Sequence, residues 1–202
     1  MRENEEFEVV FPAAADLDKW ATKISELIAE AAQEKNSGLA QRTPEHIRKK
    51  INEGKAVVAL RKKDKTLAGF CYIDTWQNDT FIVNSGLIVH PDCRGKGIAT
   101  LMKHELFVYA RKNYPNAKIF GLTTSFAVKK INVRLGYKEV PYSELTTDDG
   151  FWKGCESCVH FETLVKNNRL ECKCAGMIYD PENPRRSFPN EETIMFIDSD
   201  NY

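Results

Sequence analysis

The spacing of hydrophobic positions changes in a regular order along the first 90 residues. Apolar residues alternate or run together in four segments that we predict as strands, and between the first two they recur at helical spacing. Thr43 and Pro44 mark the start of a second helix, because threonine caps helix N-termini and proline fits the first helical position. The predicted strands are residues 7–11, 55–61, 67–76 and 81–89.

The following 50 residues predict alternating helices and strands. Helical spacing begins at Gly97 and continues to Asn113, with Ile98, Leu101 and Met102 on the apolar side. A strand at 117–123, a helix at 125–135 and a strand at 136–140 follow. The pattern therefore predicts a sheet with helices packed against it.

A glycine-rich loop joins the fourth strand to the long helix. Gly95 and Gly97 allow a ligand to approach the main chain, and the first amides of the helix have no partners within it. Arg94 and Lys96 add positive charge at the same place. These features are typical of a phosphate or pyrophosphate site. The alternative is an ordinary strand–turn–helix junction with two surface cations.

Two separated motifs resemble the GNAT superfamily of N-acetyltransferases. The stretch from Arg94 to Ala99 is similar to the family's Arg/Gln-x-x-Gly-x-Gly/Ala loop, and Leu135-Gly136-Tyr137 is similar to its Leu-Gly-Phe. The resemblance covers roughly residues 5–142. It implies an α+β, GNAT-like acyl-CoA N-acyltransferase fold with a mixed, mostly antiparallel sheet and flanking helices. We expect this domain at 1–145 and a cysteine-rich extension at 146–202.

The resemblance also implies acetyl-CoA as the co-substrate. In the family, the fourth and fifth strands separate, and the pantetheine arm contacts main-chain groups of the fourth strand. Ile88 and Val89 would make those contacts here. The pyrophosphate would be held by the loop and the start of the helix, that is by Arg94, Gly95, Lys96, Gly97, Ile98, Ala99 and Thr100.

The side chains that would perform catalysis depart from the family pattern. Where the family often has a glutamate on the fourth strand, this chain has Asn84 and Ser85, which could hold a relay water but are not conventional bases. Where the family often has a tyrosine as general acid, this chain has Asn132, which could hydrogen-bond the sulfur or simply be a bonded helix residue. Acetyl transfer by positioning alone is compatible with these three candidates.

Composition limits the class of partner. Lys plus Arg and Asp plus Glu balance at 29 each, so nothing favours binding to nucleic acid or to an anionic membrane. No apolar run approaches the length of a membrane span, and residues 1–6 are too acidic for a signal peptide. We therefore expect a cytoplasmic protein, in which the six cysteines are thiols or metal ligands rather than structural disulfides.

Four of those cysteines form two close pairs in the extension. Cys155 and Cys158 form a C-x-x-C pair, and Cys172 and Cys174 form a C-x-C pair. Residues 159–164 alternate like a strand and a turn follows, so we predict a hairpin that brings the pairs together around a structural zinc ion. A redox dithiol, or reduced thiols without a role, are the alternatives. A last short strand is predicted at 193–197.

The sequence thus predicts an N-acetyltransferase that moves the acetyl group of acetyl-CoA to a primary amine by direct attack. The acceptor is a small molecule or a protein, and the sequence does not choose between them. The alternative is a non-catalytic acyl-CoA-binding sensor or interaction module, because the usual glutamate and tyrosine are missing. The extension could shape the acceptor groove, cover the sheet edge or form a homodimer contact.

Overall fold

Seven strands pair into one sheet in the computed structural model, which describes residues 4–13, 17–34 and 37–184. The strands are β1 (Phe7–Val10), β2 (Ala56–Arg61), β3 (Leu67–Trp76), β4 (Phe81–Val89), β5 (Lys118–Thr123), β6 (Lys138–Val140) and β7 (Ala175–Tyr179). Their order is β1-β2-β3-β4-β5-β7-β6, and all adjacent pairs are antiparallel except β4 and β5. The predicted mixed, mostly antiparallel sheet is confirmed.

Six α-helices within the described ranges flank this sheet. They are α1 (Leu17–Ala32), α2 (Pro44–Asn52), α3 (Ile98–Asn113), α4 (Phe126–Arg134), α5 (Asp149–Lys153) and α6 (Phe161–Lys166). The start of α2 is as predicted, since the Thr43 hydroxyl accepts a hydrogen bond from the His46 amide. No helix in the described ranges is long and apolar enough to cross a membrane.

Alternation along the central strands separates two cores. Val57 and Ala59 of β2 pack in the core that contains Met102 and Leu106 of α3. Their neighbours Ala56 and Val58 pack in the core that contains α1 and α2. Because successive side chains of a strand point to opposite faces, α3 lies on one face of the sheet and the α1–α2 pair on the other.

The centre of the sheet opens where β4 leaves β5. The two strands are in parallel register only from Phe81 opposite Lys118 to Val83 opposite Phe120. Beyond that point β4 continues its pairing with β3, while the rest of β5 pairs with β7 on its other side. The strands therefore separate halfway along, as the resemblance implied.

The segment after residue 145 folds back on the sheet. Trp152 is 4% exposed and packs with Val83 and Phe120. β7, which the sequence did not predict, lies between β5 and β6. The division of the chain at residues 145 and 146 stays a prediction, but residues 175–179 belong to the same sheet as the preceding strands.

The predicted cysteine hairpin is wrong. Residues 159–164 were expected to be a strand, but α6 occupies most of this segment. The apolar residues Phe161, Leu164 and Val165 also fit helical spacing, and Leu164, 3% exposed, is the position that anchors the helix in the core. Asn168 and Arg169 then adopt left-handed conformations that turn the chain. The strand predicted at 193–197 lies outside the described residues.

Candidate active site

A large open cavity lies where β4 and β5 separate. Its walls come from those two strands, the segment between α1 and α2, the loop before α3, the helix α4 and the segment between α5 and β7. The predicted phosphate loop and the predicted catalytic side chains thus face one space. We call the part next to residues 94–100 the loop end and the part next to Asn84 the reaction end.

Main-chain geometry defines the loop end. Gly95 and Gly97 have φ angles of 78° and 75°, in the left-handed region that favours glycine. α3 begins after Gly97 without a side-chain cap, so its first-turn amides have no partner inside the helix. A Cβ atom on Gly95 would meet nothing within 4 Å, which leaves room for a ligand against the main chain.

Two carboxylates neutralise the cations of this loop. Arg94 Nη2 lies 2.8 Å from Glu34 Oε1, and Lys96 Nζ lies 2.9 Å from Glu6 Oε1. Arg94 lines the cavity, as do all the other predicted cofactor residues except Lys96. Those lining residues are Ile88, Val89, Gly95, Gly97, Ile98, Ala99 and Thr100. Their contacts with acetyl-CoA stay predictions.

A bulge in β4 shapes the middle of the cavity. Gly86 has a φ angle of 63°, and the β3–β4 register shifts between Phe70 and Tyr72. A Cβ atom on Gly86 would lie 2.4 Å from the Tyr72 ring, so only glycine lets the ring pack there. The Tyr72 hydroxyl in turn accepts a hydrogen bond of 2.7 Å from Arg42 Nε. This bulge was not recognised from the sequence.

A buried polar cluster underlies the reaction end. Lys103 Nζ donates to Asn84 Oδ1 at 2.5 Å, and Cys71 Sγ lies 3.6 Å from the same oxygen. Burial lowers the pKa of Lys103 to about 8 and raises the pKa of Cys71 to about 11. Lys103 was missed from the sequence, although it follows Ala99 by four positions and precedes Leu106 by three on α3. A lysine among apolar positions at helical spacing was the signal by which the sequence could have identified it.

Asn132 contributes a second buried polar side chain. It is 1% exposed, and its Nδ2 atom contacts Met177 Sδ at 3.4 Å. Its Oδ1 atom is buried and has no hydrogen-bond partner among the residues that the structure describes. Asn84, Ser85 and Asn132 all line the cavity, so the structure brings the predicted catalytic residues together around it. Their roles in catalysis stay predictions.

The segment between α1 and α2 covers the same end of the cavity. The Gln41 amide donates to Ser157 Oγ at 3.0 Å, which ties this segment to the one after α5. His46 lies against the Tyr72 ring, and in the described part of the chain its buried Nε2 atom has no hydrogen-bond partner. Burial, with the positive charges of Arg42 and Lys50, lowers the pKa of His46 to about 4. The imidazole is therefore neutral at physiological pH.

Cys155, Cys158, Cys172 and Cys174 line the cavity together as thiols, and we call them the four-thiol cluster. Burial raises the pKa of Cys155 to about 11, and Cys158 and Cys172 add to the shift. Burial likewise raises the pKa of Cys174 to about 12, and the other three thiols add to the shift. Within the described ranges, however, no group of three or more His, Cys, Asp or Glu side chains is arranged to hold a metal ion. The zinc prediction is not supported by this geometry.

Comparison with known proteins identifies a family. A model of the acetyltransferase (GNAT) family matches residues 22–133, more than half of the 202-residue chain. A comparison with curated protein sequences found no match. The matched range contains the loop end, Lys103 and Asn132.

Several solved structures share the fold. Rv2747 from Mycobacterium tuberculosis, in complex with CoA and NLQ, is 17% identical; the match covers 86% of this chain and 98% of that one, with a TM-score of 0.60. N-acetylglutamate synthase from Neisseria gonorrhoeae, with coenzyme A and N-acetyl-glutamate, is 14% identical over 90% of this chain and 36% of its own, with a TM-score of 0.62. yncA from Salmonella typhimurium, with its cofactor acetyl-CoA, is 13% identical over 93% of this chain and 99% of its own, with a TM-score of 0.58. At these identities the likeness concerns the fold alone.

Proposed function

The chain belongs to the acetyltransferase (GNAT) family, and from that premise we propose that it transfers the acetyl group of acetyl-CoA to a primary amine by direct attack. One observation carries the proposal. β4 separates from β5 beside a glycine loop that opens the N-terminus of α3, so an extended thioester and a pyrophosphate can bind along one continuous cavity.

The residues present suit acetyl-CoA as a substrate. Uncapped amides at the start of α3 and the left-handed Gly95 and Gly97 offer donors to a pyrophosphate. Beyond Val83, no strand within the described ranges is in register with the edge of β4 that faces β5. The His90 amide donates to the Ala68 carbonyl on β3, so strand alternation turns the main-chain groups of Val89 to the open edge, and we propose that an extended amide-containing arm pairs there.

The reaction forms one bond and breaks another. The neutral amine of the acceptor attacks the thioester carbonyl, the new C–N bond forms, and the C–S bond breaks with its electron pair remaining on sulfur. A donor to the developing oxyanion stabilises the tetrahedral intermediate. Asn84 and Ser85, which line the cavity, would hold the water that takes the proton from the amine, and the cavity walls would align the reactants.

The first experiment combines binding and turnover. Calorimetric titration with acetyl-CoA is expected to show saturable binding with one site per chain. Incubation with a panel of primary amines is expected to release CoA thiol only when both substrates are present, with the acetylated amine identified by mass spectrometry. Binding without acetylation of any amine would contradict the proposal and favour the alternative, a non-catalytic acyl-CoA-binding module.

We further propose that the four-thiol cluster, which is not arranged to hold a metal ion in the described structure, rearranges to take up one structural zinc ion. Support comes from the C-x-x-C and C-x-C spacing and from the mutual proximity that raises the pKa values of Cys155 and Cys174. Elemental analysis of untagged protein is expected to find one zinc per chain, lost in Cys155→Ser and kept in Cys93→Ser, which changes a buried thiol outside the cluster. Wild-type protein without stoichiometric zinc would contradict this proposal.

A further inference from the structure

Lys103 is a buried amine at the reaction end of the cavity. It is 3% exposed and lines the cavity. Lys50, which is also 3% exposed, shows what such a side chain normally requires, because its Nζ lies 3.1 Å from Glu53 Oε2 and 2.9 Å from Asp74 Oδ2. Among the described residues, Lys103 forms no ion pair with a carboxylate; its hydrogen bond goes to the neutral Asn84. A buried ammonium without a counter-charge is costly, so a role in the cavity is the more economical explanation.

The groups packed around Lys103 leave its charge uncompensated. Cys71 approaches from β3 and Asn84 from β4, and the Tyr137 ring centroid lies 5.8 Å from Nζ. Burial raises the pKa values of both Cys71 and Tyr137, so both groups are neutral near pH 7. The ammonium therefore holds its proton less firmly than an exposed lysine does, and burial lowers its pKa to about 8.

Acetyl transfer needs a proton at the place where the thioester ends. The departing thiolate must be protonated, and Asn132, which occupies the position of the expected acid on α4, has no acidic proton to give. A lysine whose pKa is close to that of an alkyl thiol is well matched to this proton transfer. Lys103 and Asn132 both line the cavity and both contact Tyr137: Lys103 Nζ lies 5.8 Å from its ring centroid, and the Asn132 carbonyl oxygen accepts a hydrogen bond of 3.0 Å from its amide.

We propose that Lys103 is the residue that delivers a proton to the sulfur of CoA as the C–S bond breaks. This inference rests on the proposed function. Asn84 positions Lys103 through its Oδ1 atom. As the C–S bond breaks, one N–H proton of Lys103 passes to the sulfur and leaves a neutral amine. The proton lost by the acceptor nitrogen then returns to Lys103 through water held near Asn84 and Ser85, so the enzyme ends each cycle unchanged.

The pH dependence of kcat tests this role. With saturating substrates, kcat of the wild type is expected to fall above about pH 8, as Lys103 loses its proton. The side chains introduced by Lys103→Met and Lys103→Arg cannot donate a proton near pH 8. Both variants are expected to show no fall of kcat above about pH 8 and a kcat about 100-fold lower, the usual scale for a general acid. The KM for acetyl-CoA is expected to stay close to the wild-type value. Lys112→Met, an exposed lysine of the same helix, is the matched control and should behave as wild type.

A conservative variant covers the case in which a change at Lys103 disturbs folding. Asn84→Asp places a carboxylate beside Lys103, as Asp74 does beside Lys50, and is expected to move the alkaline limb upward by about one pH unit or more. If the wild type acetylates an amine but Asn84→Asp leaves the alkaline limb of kcat where it was, the role of Lys103 is overturned and the proposed function is not. Wild type that acetylates no amine would overturn the proposed function, and the role of Lys103 with it.

Discussion

The two ends of the cavity acquire their chemistry in different ways. At the loop end the ligand-binding groups belong to the main chain, and the cations beside them are exposed and paired with Glu6 and Glu34. At the reaction end the polar groups are side chains, each supplied by a different element: Lys103 and Asn132 are buried, and Asn84 is half-buried. The first end depends on a local backbone conformation, and the second depends on how distant elements pack.

This difference decides what each end can tolerate. A main-chain site survives changes of its side chains provided that the two glycines keep their left-handed geometry. A site of buried polar side chains is sensitive to single atoms, because each unpaired donor or acceptor there carries a free-energy cost. Substitutions at the loop end should therefore act on ligand binding, and those at the reaction end on stability, pH dependence and turnover.

The largest effect is expected from Gly97→Glu at the loop end. Its φ angle of 75° strains any other residue, and the carboxylate would repel a pyrophosphate at the helix N-terminus. We expect the calorimetric Kd for acetyl-CoA to rise about 1000-fold, or about 4 kcal/mol. Gly97→Gln carries the same backbone strain without the charge and should lose clearly less. Equal Kd values for the two variants would show that charge at this position is irrelevant.

A large loss of stability is expected from Gly86→Ala in the middle of the cavity. The added Cβ would lie 2.4 Å from the Tyr72 ring, at a φ angle of 63°. We expect the free energy of unfolding in urea to fall by about 3 kcal/mol. Gly54→Ala is the matched control, because its φ angle is 66° but nothing lies within 4 Å of its Cβ position. An equal loss in both variants would mean that the Tyr72 contact contributes nothing.

Most of the fold could be predicted from the sequence because its signals are local. β3 and β4 coincide with the predicted ranges, and α2 begins at its predicted cap. β7 was missed because Ala175 and Gly176 interrupt its apolar pattern. Gly176 is small for a tertiary reason, since a Cβ there would lie 3.1 Å from the Val140 carbonyl oxygen. No local pattern reports such a contact.

A trade-off between stability and function is expected at Asn132. Asn132→Leu removes a buried carbonyl oxygen that no described residue bonds, so the free energy of unfolding should rise by about 1 kcal/mol without ligand. If the side chain serves the thioester end, turnover should fall in the same variant. Urea denaturation and initial rates measure the two effects on one preparation. A variant that loses stability, or that gains it and keeps full turnover, would show that Asn132 is an ordinary structural residue.

A smaller effect is expected in the pH dependence of stability. The unfolded chain protonates His46 near pH 6.5, whereas burial keeps the folded imidazole neutral down to about pH 4. The unfolded state therefore binds more protons between these values, and the free energy of unfolding falls as the pH is lowered through them. Partial exposure limits the loss to about 1 kcal/mol.

His46→Gln should flatten this slope, measured by urea denaturation between pH 7 and pH 4. His90→Gln is the control, because that side chain is exposed beside the loop end. Equal flattening by the two variants would contradict a special environment for His46.

The candidate site was predictable at one end only. The loop end is encoded by the spacing of Arg94, Gly95 and Gly97 within a few residues. The reaction end joins Asn84 to Lys103 across 19 positions and sets Asn132 against Met177 across 45, so no short motif reports it. Sequence reasoning found Asn84 and Asn132 by their place in a family pattern, but it had no reason to connect either of them with Lys103.

The smallest effect is expected where the loop-end cations are already paired. Arg94 is held by Glu34 at 2.8 Å, with both side chains about half exposed, so a pyrophosphate must compete with that carboxylate. Exposed ion pairs are weak, and Glu34→Gln should therefore tighten acetyl-CoA binding only about two- to threefold. The gain should shrink as salt rises, because exposed charges are screened.

Glu8→Gln is the matched control, since Glu8 pairs with Lys65 in another part of the surface. Equal tightening by both variants would assign the effect to net charge, whereas tightening by Glu34→Gln alone would show that the free enzyme holds Arg94 in a conformation that the ligand has to release.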